Sequence, residues 1–338
     1  MTTLDLVRDK IIVENAPNIP GLYFRGFCGD QDFPIMADIL QGCKEEDQEE
    51  RTETAEDIAR NYSHLVNSNP YKDMLFAQVD DQIIAYSRVR WHKEFGGRMI
   101  YVHFGFILPE WRRQGIGRAM LRYNQARLRK IATNHKNNPH RYFESYSSDS
   151  EIASTKLLKS EGYTQNRHFY RMVRPHLENI PAAPMPDGLE LRPVEPDHYQ
   201  LICDASNEAF RDHWGYSEDW QLKVDELTDS PHFDPSLWKV AWDGDQIAGM
   251  VLTYINQDEN QEYNRKRGWT EDICVRRPWR RRGLASSLIA HSLRMLKDLG
   301  MEQAALGVDT QNLSGALRLY ERMGYKPDKR YDTYRKEF

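Results

Sequence analysis

The chain has 338 residues, of which 40% are apolar and 29% charged, and this composition excludes a disordered or fibrous protein. Its formal net charge of -5 argues against general nucleic-acid binding, because a phosphate backbone selects a basic surface. No apolar run approaches the ~20 residues of a membrane span, and the first residues lack the apolar core of a signal peptide. The four cysteines have neither metal-ligand spacing nor disulfide density. We therefore expect a cytoplasmic globular protein that contacts no membrane and holds no metal, and the length allows two domains.

Hydrophobic periodicity predicts mixed helices and strands in the first half of the chain. In order, the pattern indicates a polar arm over 1–20, a strand over 21–27, helices over 33–44 and 55–66, hairpin strands over 75–79 and 83–89, a strand over 99–108 and a helix ending at about Thr133. The strand over 99–108 is apolar on both faces, so we expect it at the centre of a sheet. The acidic run 45–53 is interpreted as a solvated surface.

A proline-rich segment separates the first half from a repeat of the same pattern. Four prolines and little periodicity over 173–188 indicate an interdomain linker. After this segment, Arg112-x-x-Gly115-x-Gly117 recurs as Arg280-x-x-Gly283-x-Ala285, 168 positions later. The Gly162-Tyr163 pair recurs as Gly324-Tyr325, 162 positions later. Two repeats of this length predict two copies of one domain, over 1–174 and 188–338, joined by a linker over 175–187.

The segment from Trp269 to Ala285 is the most informative part of the second copy. It begins as a strand through Val275, turns at Pro278 and enters a helix at Ser286. Small residues at such a turn let backbone N–H groups face a common point, with the positive end of the helix dipole behind them. Arginines alongside favour a phosphate or pyrophosphate site over the alternatives, a nucleic-acid patch or a solvated turn.

Two motifs together resemble the GNAT N-acetyltransferase family. The Arg-x-x-Gly-x-Gly/Ala turn between strand and helix resembles the acetyl-CoA motif of that family. The segment 306–325 resembles the second signature, in which a strand ends at an Asn, here Asn312, and an Ala-x-x-Leu-Tyr helix leads to a Gly-aromatic turn. The resemblance is specific in the second copy and covers most of the chain, and the tandem layout is similar to that of two-domain members.

The resemblance implies a fold and a set of cofactor contacts. The expected fold is α/β, with two tandem domains that each contain a mixed, mainly antiparallel sheet flanked by helices. The expected cofactor is acetyl-CoA. The implied cofactor-binding residues of the second copy are Ile273, Cys274, Val275, Arg280, Arg281, Arg282, Gly283, Leu284, Ala285, Ser286 and Asn312. Those of the first copy are Ile107, Leu108, Arg112, Arg113, Gln114, Gly115, Ile116, Gly117 and Arg118.

The resemblance also implies direct acetyl transfer to an amine, and it assigns catalytic residues. Tyr320 is the candidate general acid for the leaving thiolate. Glu271 is the candidate base, because in a regular strand it shares a face with Ile273 and Val275. Asp272, which points the other way in a regular strand, ranks second. A backbone N–H of the strand can stabilise the oxyanion that forms on attack.

The first copy departs from this pattern. Alignment on the Gly-Tyr pair sets Leu158 opposite Tyr320, so the presumed acid is missing there. His103 falls opposite Glu271 and is interpreted as a structural histidine, with a base as the alternative. We therefore expect catalysis in the second domain, while the first holds acetyl-CoA or shapes the substrate cleft.

The predicted function is acetyl-CoA-dependent N-acetylation of a primary amine carried by a small molecule. One alternative is an acyl-CoA-binding sensor with little turnover. Another is a transferase of the same fold that uses a longer acyl donor or an aminoacyl-tRNA, although the acidic net charge disfavours the tRNA version. The acceptor itself depends on loops whose sequences carry no transferable code, so the sequence leaves open a small metabolite, an antibiotic, a thiol-precursor amine and a protein N-terminus.

Overall fold

The computed structural model describes residues 10–135, 138–312 and 315–338. The chain divides into two compact units. The first unit runs to Arg167 and also contains Asp332–Phe338, and the second unit is His168–Tyr331. Within the described ranges, no helix combines the length and the apolar character that a membrane span needs.

The first unit is a mostly antiparallel sheet with helices packed against it. Its elements are β1 (Leu22–Arg25), α1 (Asp32–Asp47), α2 (Ala55–Ser63), α3 (Pro70–Asp73), β2 (Met74–Val79), β3 (Gln82–Lys93), β4 (Met99–Ile107), α4 (Ile116–Ala132), β5 (Arg141–Ser148), α5 (Ile152–Ser160) and the first part of β6 (Thr164–Arg174). The strand order is β1-β2-β3-β4-β5, and the last part of β12 (Lys326–Glu337) then lies between β5 and β6. As expected, the doubly apolar strand β4 is central, between β3 and β5.

The second unit repeats this plan. Its elements are β7 (Glu190–Arg192), α6 (Tyr199–Phe210), α7 (Val224–Thr228), β8 (Lys239–Asp243), β9 (Gln246–Tyr254), α8 (Gln257–Glu262), β10 (Arg267–Val275), α9 (Leu284–Asp298), β11 (Gln303–Asp309) and α10 (Ala316–Arg322), with the remaining parts of β6 and β12. The strand order is β12-β6-β11-β10-β9-β8-β7. The mixed, mainly antiparallel α/β architecture expected for each copy is confirmed.

Each unit takes one strand from outside its own sequence repeat. In the first unit, the strand beside β5 is the chain's C-terminal segment 332–338, whose Phe338 N–H donates to the Arg141 carbonyl. In the second unit, the strand beside β11 is 169–174, which precedes the second repeat. The sequence limits of 1–174 and 188–338 therefore differ from the structural units by these two short segments.

Two apolar clusters sandwich the sheet of the second unit. The side chains of α9 pack on one face, together with Val251 and Leu306 of the strands. The side chains of α6 pack on the opposite face, together with Met250, Leu252 and Cys274. These surfaces are called the α9 face and the α6 face below.

The segment 175–187 is not a loose linker. Leu177 is buried in the cluster of the α9 face, and Ile180, Ala183 and Met185 pack against the same cluster. The Arg294 guanidinium of α9 donates to the Pro181 carbonyl at 3.2 Å. Because proline restricts φ without preventing side-chain burial, a proline-rich stretch can lie against a core in extended form. The segment belongs to the second unit.

This packing generates a stability prediction. We expect Leu177→Ala to lower the free energy of unfolding by about 2–5 kcal/mol, because it deletes buried methyl groups from a filled core. The matched control, Leu201→Ala on the exposed side of α6, should change it by less than about 0.5 kcal/mol. Urea unfolding of both variants checks the prediction. Equal effects of the two substitutions would mean that the segment is not part of the core.

Candidate active site

The turn between strand and helix has the same backbone conformation in both units. In the second unit Arg281 and Gly283 have positive φ values of 64° and 87°, and α9 begins at the next residue, Leu284. In the first unit the equivalent φ values are 65° at Arg113 and 93° at Gly115. The first N–H groups of each helix have no intrahelical acceptor, so each turn presents donors to an anion. The space beside Gly283 is open, since a Cβ added there would meet no other heavy atom within 4 Å.

The first arginine of each motif clamps the turn. The Arg280 Nε–H donates to the Val275 carbonyl at 2.9 Å, and the same guanidinium pairs with Asp212 at 2.7 Å. In the first unit the Arg112 Nε–H donates to the Ile107 carbonyl at 2.8 Å, and its guanidinium pairs with Asp47 at 2.6 Å. Arg112 and Arg280 were both predicted to bind the cofactor. In the structure, each joins the end of a strand to an acid near the end of the unit's first helix.

Two further arginines of the second turn are also engaged by carboxylates. Arg276 pairs with Glu208 at 2.7 Å, and Arg277 pairs with Asp212. The side chain of Arg282 donates to the Asp187 carbonyl at 2.9 Å, and Arg281 has no partner among the described residues. The positive charge left for an anion comes mainly from Arg281, Arg282 and the helix terminus.

Asp47 and Asp212 were not singled out from the sequence. Asp47 lies in the acidic run interpreted as a solvated surface, yet it is only 4% exposed and lines a cavity. Asp212 lies two residues after the end of α6, beside the arginine-rich turn. The repeat could have identified both acids, because each of them lies at or just after the end of the first helix of its copy.

The strands β10 and β11 separate in the middle of the second unit. They pair in parallel only from Arg267↔Gln303 to Trp269↔Ala305. Beyond this point side chains replace the lost ladder bonds. The Thr270 hydroxyl donates to the Ala305 carbonyl at 3.2 Å, and the Gly307 N–H donates to the Glu271 carboxylate at 3.0 Å. The two strands thus separate at a point where two side-chain hydrogen bonds still join them, and we call the opening between them the cleft.

A β-bulge interrupts β10 where the cleft opens. Glu271 lies opposite Leu252 and Cys274 lies opposite Met250, so two residues of β10, Asp272 and Ile273, face one residue of β9. Asp272 has a positive φ of 46° and is exposed. A bulge leaves backbone N–H groups out of the ladder and redirects side chains, and both effects are common beside active sites.

The bulge corrects the premise on which Glu271 was ranked above Asp272. A regular strand would place Glu271 on one face with Ile273 and Val275. Instead, Glu271 shares the α6-face register of Leu252, whereas Ile273 and Val275 pack against the cluster of the α9 face. The extra residue shifts the alternation by one position, which periodicity alone does not reveal.

The Glu271 carboxyl has an unusual proton affinity. Desolvation by the surrounding protein, followed by repulsion from Asp272, raises the pKa of Glu271 to about 8, although the Gly307 N–H opposes the rise. The residue as a whole is half-buried. A carboxylate with this pKa accepts a proton far more readily than an ordinary glutamate.

Tyr320 of α10 lies on the other side of the cleft, within the cluster of the α9 face. Its side chain is buried, and its ring meets that of Tyr325 edge to face at 6.2 Å. Burial, followed by the negative charge of Glu271, raises the pKa of Tyr320, so the phenol stays protonated at neutral pH. No hydrogen-bond partner of the Tyr320 hydroxyl occurs within 10–135, 138–312 and 315–338.

The remaining predicted residues of the second unit lie in three places. Leu284 is buried, while Ala285 and Ser286 are half-buried in the first turn of α9. Cys274 is buried on the α6 face, where desolvation raises its thiol pKa to about 12, in keeping with a core residue. Asn312 follows β11, and its amide lies 3.5 Å from the His213 ring nitrogen.

The first unit contains a cavity of about 520 Å³ at the equivalent position. It extends from the turn at Arg113 and Gly115, past α5, to the inner residues His103 and Asn124. The predicted residues Ile107, Arg112, Gly117 and Arg118 also line it, whereas Leu108, Gln114 and Ile116 do not.

The inner end of that cavity differs from the cleft of the second unit. Strand β4 pairs with β3 continuously from Ala85↔Ile107 to Lys93↔Met99, so it carries no bulge. The His103 ring is buried and lies 2.6 Å from the Tyr163 hydroxyl, and burial lowers its pKa to about 4. Leu158, which occupies the position equivalent to Tyr320 in the repeat, is buried. These contacts agree with the interpretation of His103 as a structural histidine.

Comparisons with known proteins agree with this geometry. A model of the acetyltransferase (GNAT) family matches residues 199–325, and a model of an acetyltransferase (GNAT) domain matches residues 70–171. The chain is 30% identical to the mycothiol acetyltransferase of Streptomyces bingchenggensis over 241 residues, covering 67% of this chain and 70% of that protein. The chain belongs to the GNAT acetyltransferase family. Membership confirms, at the level of the family, the expected N-acetyltransferase and its cofactor, acetyl-CoA.

Two further similarities describe the extent of the match. The mycothiol acetyltransferase of Thermobispora bispora is 30% identical over 175 residues, which cover 51% of this chain and 58% of that protein's length. A solved GCN5-related N-acetyltransferase from Sphaerobacter thermophilus superposes with a TM-score of 0.69 at 24% identity. That superposition covers 94% of this chain and 95% of the other, and it shows that the two proteins share a fold.

The raised pKa of Glu271 generates a prediction about stability and pH. The folded state keeps this proton up to a pH of about 8, whereas an ordinary carboxyl loses it at about 4.5. Between these values the folded state binds more protons than the unfolded state, so Glu271 makes the protein less stable as the pH rises. We expect Glu271→Gln to gain stability relative to the wild type between pH 5 and 8. Urea unfolding across this range measures the difference, and exposed Glu321→Gln is the control. A flat difference for Glu271→Gln would show that its pKa is ordinary.

Proposed function

We propose that the chain is an acetyl-CoA-dependent N-acetyltransferase that acetylates the primary amine of a small molecule, with catalysis in the second unit. The observation that carries the proposal is the opening of β10 and β11 at a bulge, with Glu271 at one edge and Tyr320 across the cleft. In the first unit the equivalent strand is regular and Leu158 replaces the phenol. The name of the similar mycothiol acetyltransferases supports a small-molecule acceptor.

The cofactor fits the residues that are present. The turn from Arg281 to Ser286 offers helix N–H groups without intrahelical acceptors, two left-handed backbone positions and open space beside Gly283. Arg281 and Arg282 add positive charge, while Arg280 holds the turn in shape. Acetyl-CoA supplies an acetyl group activated as a thioester. Ile273 in the bulge and the two residues after it, Cys274 and Val275, border the cleft where its arm would lie.

The residues of the cleft have complementary proton-transfer roles. The amine nitrogen forms a bond to the acetyl carbon as the carbon–sulfur bond breaks, Glu271 accepts the amine proton and Tyr320 gives its proton to the sulfur. The pKa of Glu271, raised to about 8, matches a base that works near neutral pH. The Tyr320 hydroxyl has no partner among the described residues and is therefore available to a ligand. Backbone N–H groups freed by the bulge can receive the oxyanion.

The first unit supports a binding role without turnover. Its cavity of about 520 Å³ reaches from the turn at Gly115 to His103, and Lys156 of α5 adds positive charge to the lining. This volume accommodates much of a coenzyme A thioester. The regular β4 frees no N–H group, and Leu158 offers no proton. We therefore propose that this unit binds acetyl-CoA as a structural or sensing site.

The catalytic assignment is tested by kinetics with acetyl-CoA and a panel of primary amines, read as release of free coenzyme A thiol. We expect Tyr320→Phe and Glu271→Gln each to lower kcat by about 100- to 10,000-fold, because each removes a general acid or base. The part of the rise of kcat/KM with pH that has an apparent pKa of about 8 should disappear in Glu271→Gln, while the rise caused by deprotonation of the acceptor amine should persist. Glu321→Gln, on the exposed side of the same helix as Tyr320, is the control. Unchanged turnover in Tyr320→Phe would overturn the assignment.

Calorimetric titration with acetyl-CoA tests whether the turn between strand and helix binds this cofactor in one unit or in both. We expect two sites in the wild type, and the loss of one site in either Gly283→Val or Gly115→Val. A β-branched residue cannot adopt the positive φ of 87° or 93° without strain, so the turn would lose its shape. A single site that survives Gly115→Val and disappears in Gly283→Val would show that the first unit binds no acetyl-CoA.

A further inference from the structure

We propose that Asp272 selects the acceptor by binding its protonated amine, and that the enzyme takes amines without a carboxylate on the carbon next to the nitrogen. Amino-acid amides, amino sugars and simple amines belong to this class, and free amino acids do not. The inference rests on the proposed function and adds a substrate class to it. It also separates the role of Asp272 from that of Glu271.

The bulge presents Asp272 at the mouth of the cleft. Asp272 is exposed, although both of its neighbours in the strand, Glu271 and Ile273, are half-buried. The Asp272 carboxylate has no hydrogen bond or ion pair among the described residues, whereas Glu271 is tied to the Gly307 N–H at 3.0 Å. Asp272 is therefore free to bind a cation, and Glu271 is fixed where it can take a proton.

The surroundings of Asp272 are acidic. Burial raises the pKa of the Cys203 thiol on α6, and the negative charges of Asp204, Asp272 and Asp225 raise it further. The three carboxylates therefore lie within electrostatic reach of this thiol. An ammonium is attracted to such a region, and a carboxylate is repelled.

The nearby arginines of the second turn do not offset this negative charge. Arg276 pairs with Glu208 on α6. Arg277 and Arg280 both pair with Asp212. Their charges are taken up by carboxylates other than Asp272, so the acidic character of the region persists.

An aromatic stack borders the same region. The Tyr254 ring lies parallel to the Trp269 ring at 6.0 Å and to the His232 ring at 5.6 Å. Burial, followed by the negative charges of Glu271 and Asp272, raises the pKa of Tyr254, so this ring lies within electrostatic reach of both acids. A half-buried aromatic surface beside carboxylates suits an organic cation, because the ring face attracts positive charge as well as apolar groups.

The two ends of the reaction cleft thus carry opposite charge. The turn at Arg281 and Arg282, with the N-terminus of α9, receives an anion. Asp272 at the bulge receives a cation. A donor with phosphates and an acceptor with an ammonium are each attracted to one end and repelled by the other. A carboxylate next to the amine would have to approach Asp272 closely, and like charges at an interface are strongly disfavoured.

The test compares matched acceptors that differ only in this carboxylate. Phenylalanine amide and free phenylalanine, and alanine amide and free alanine, are assayed with the full chain and acetyl-CoA by thiol release. We expect the wild type to favour each amide in kcat/KM by at least about 100-fold. Asp272→Asn should reduce this ratio by about tenfold or more through a higher KM for the amide, with the KM for acetyl-CoA unchanged. Asparagine tolerates the positive φ as aspartate does, so the bulge is preserved.

Three further results are informative. Asp272→Glu should recover part of the selectivity, because it restores the charge, and the control Asp298→Asn on the exposed end of α9 should leave the ratio unchanged. If the wild type turns over amides but Asp272→Asn keeps the full ratio, or lowers both acceptors equally, Asp272 does not select the acceptor and the proposed function still stands. If the wild type turns over no amine of any class, the proposed function fails, and this inference fails with it.

Discussion

The separation of β10 from β11 is the constraint on which the second unit depends. Two parallel strands that separate within a sheet would leave buried carbonyl and N–H groups without partners, which is costly. Here the Thr270 hydroxyl donates to the Ala305 carbonyl, and the Glu271 carboxylate accepts from the Gly307 N–H. These two hydrogen bonds allow the cleft to open and place a desolvated carboxyl at its edge. The structural solution and the proposed chemistry therefore use the same side chain.

The first arginine of each motif determines the shape of the turn in which it lies. Arg112 and Arg280 each hold the last carbonyl of a strand and one aspartate at or after the end of the unit's first helix. This clamp fixes the point at which the strand ends, and the left-handed residues that follow then direct N–H groups outward. Loss of either aspartate would release an arginine and loosen the turn. The turn between strand and helix is thus stabilised from α1 in one unit and from the segment after α6 in the other.

Much of the fold could be predicted from the sequence because local pattern and repetition agree. The turn of Gly283, the central position of β4 and the helix after each turn follow from backbone requirements and apolar periodicity. The role of the segment around Leu177 could not be predicted, since proline content says nothing about which surface a chain lies on. The bulge at Asp272 was missed for a related reason, because one extra residue changes the facing of a strand without changing its composition.

The sequence by itself determined the family, the two copies of the Arg-x-x-Gly-x-Gly/Ala turn and the difference between Tyr320 and Leu158, because each is a matter of residue identity at fixed spacing. The tertiary structure decided which partners those residues have. It gave the segments 332–338 and 169–174 to units other than their own repeats, since strand pairing follows geometry and not chain order. It also left Asp272 without a partner among the described residues and bonded Glu271 to the Gly307 N–H. Both outcomes need neighbouring strands in place, because only then do a bulge and a separated strand pair exist.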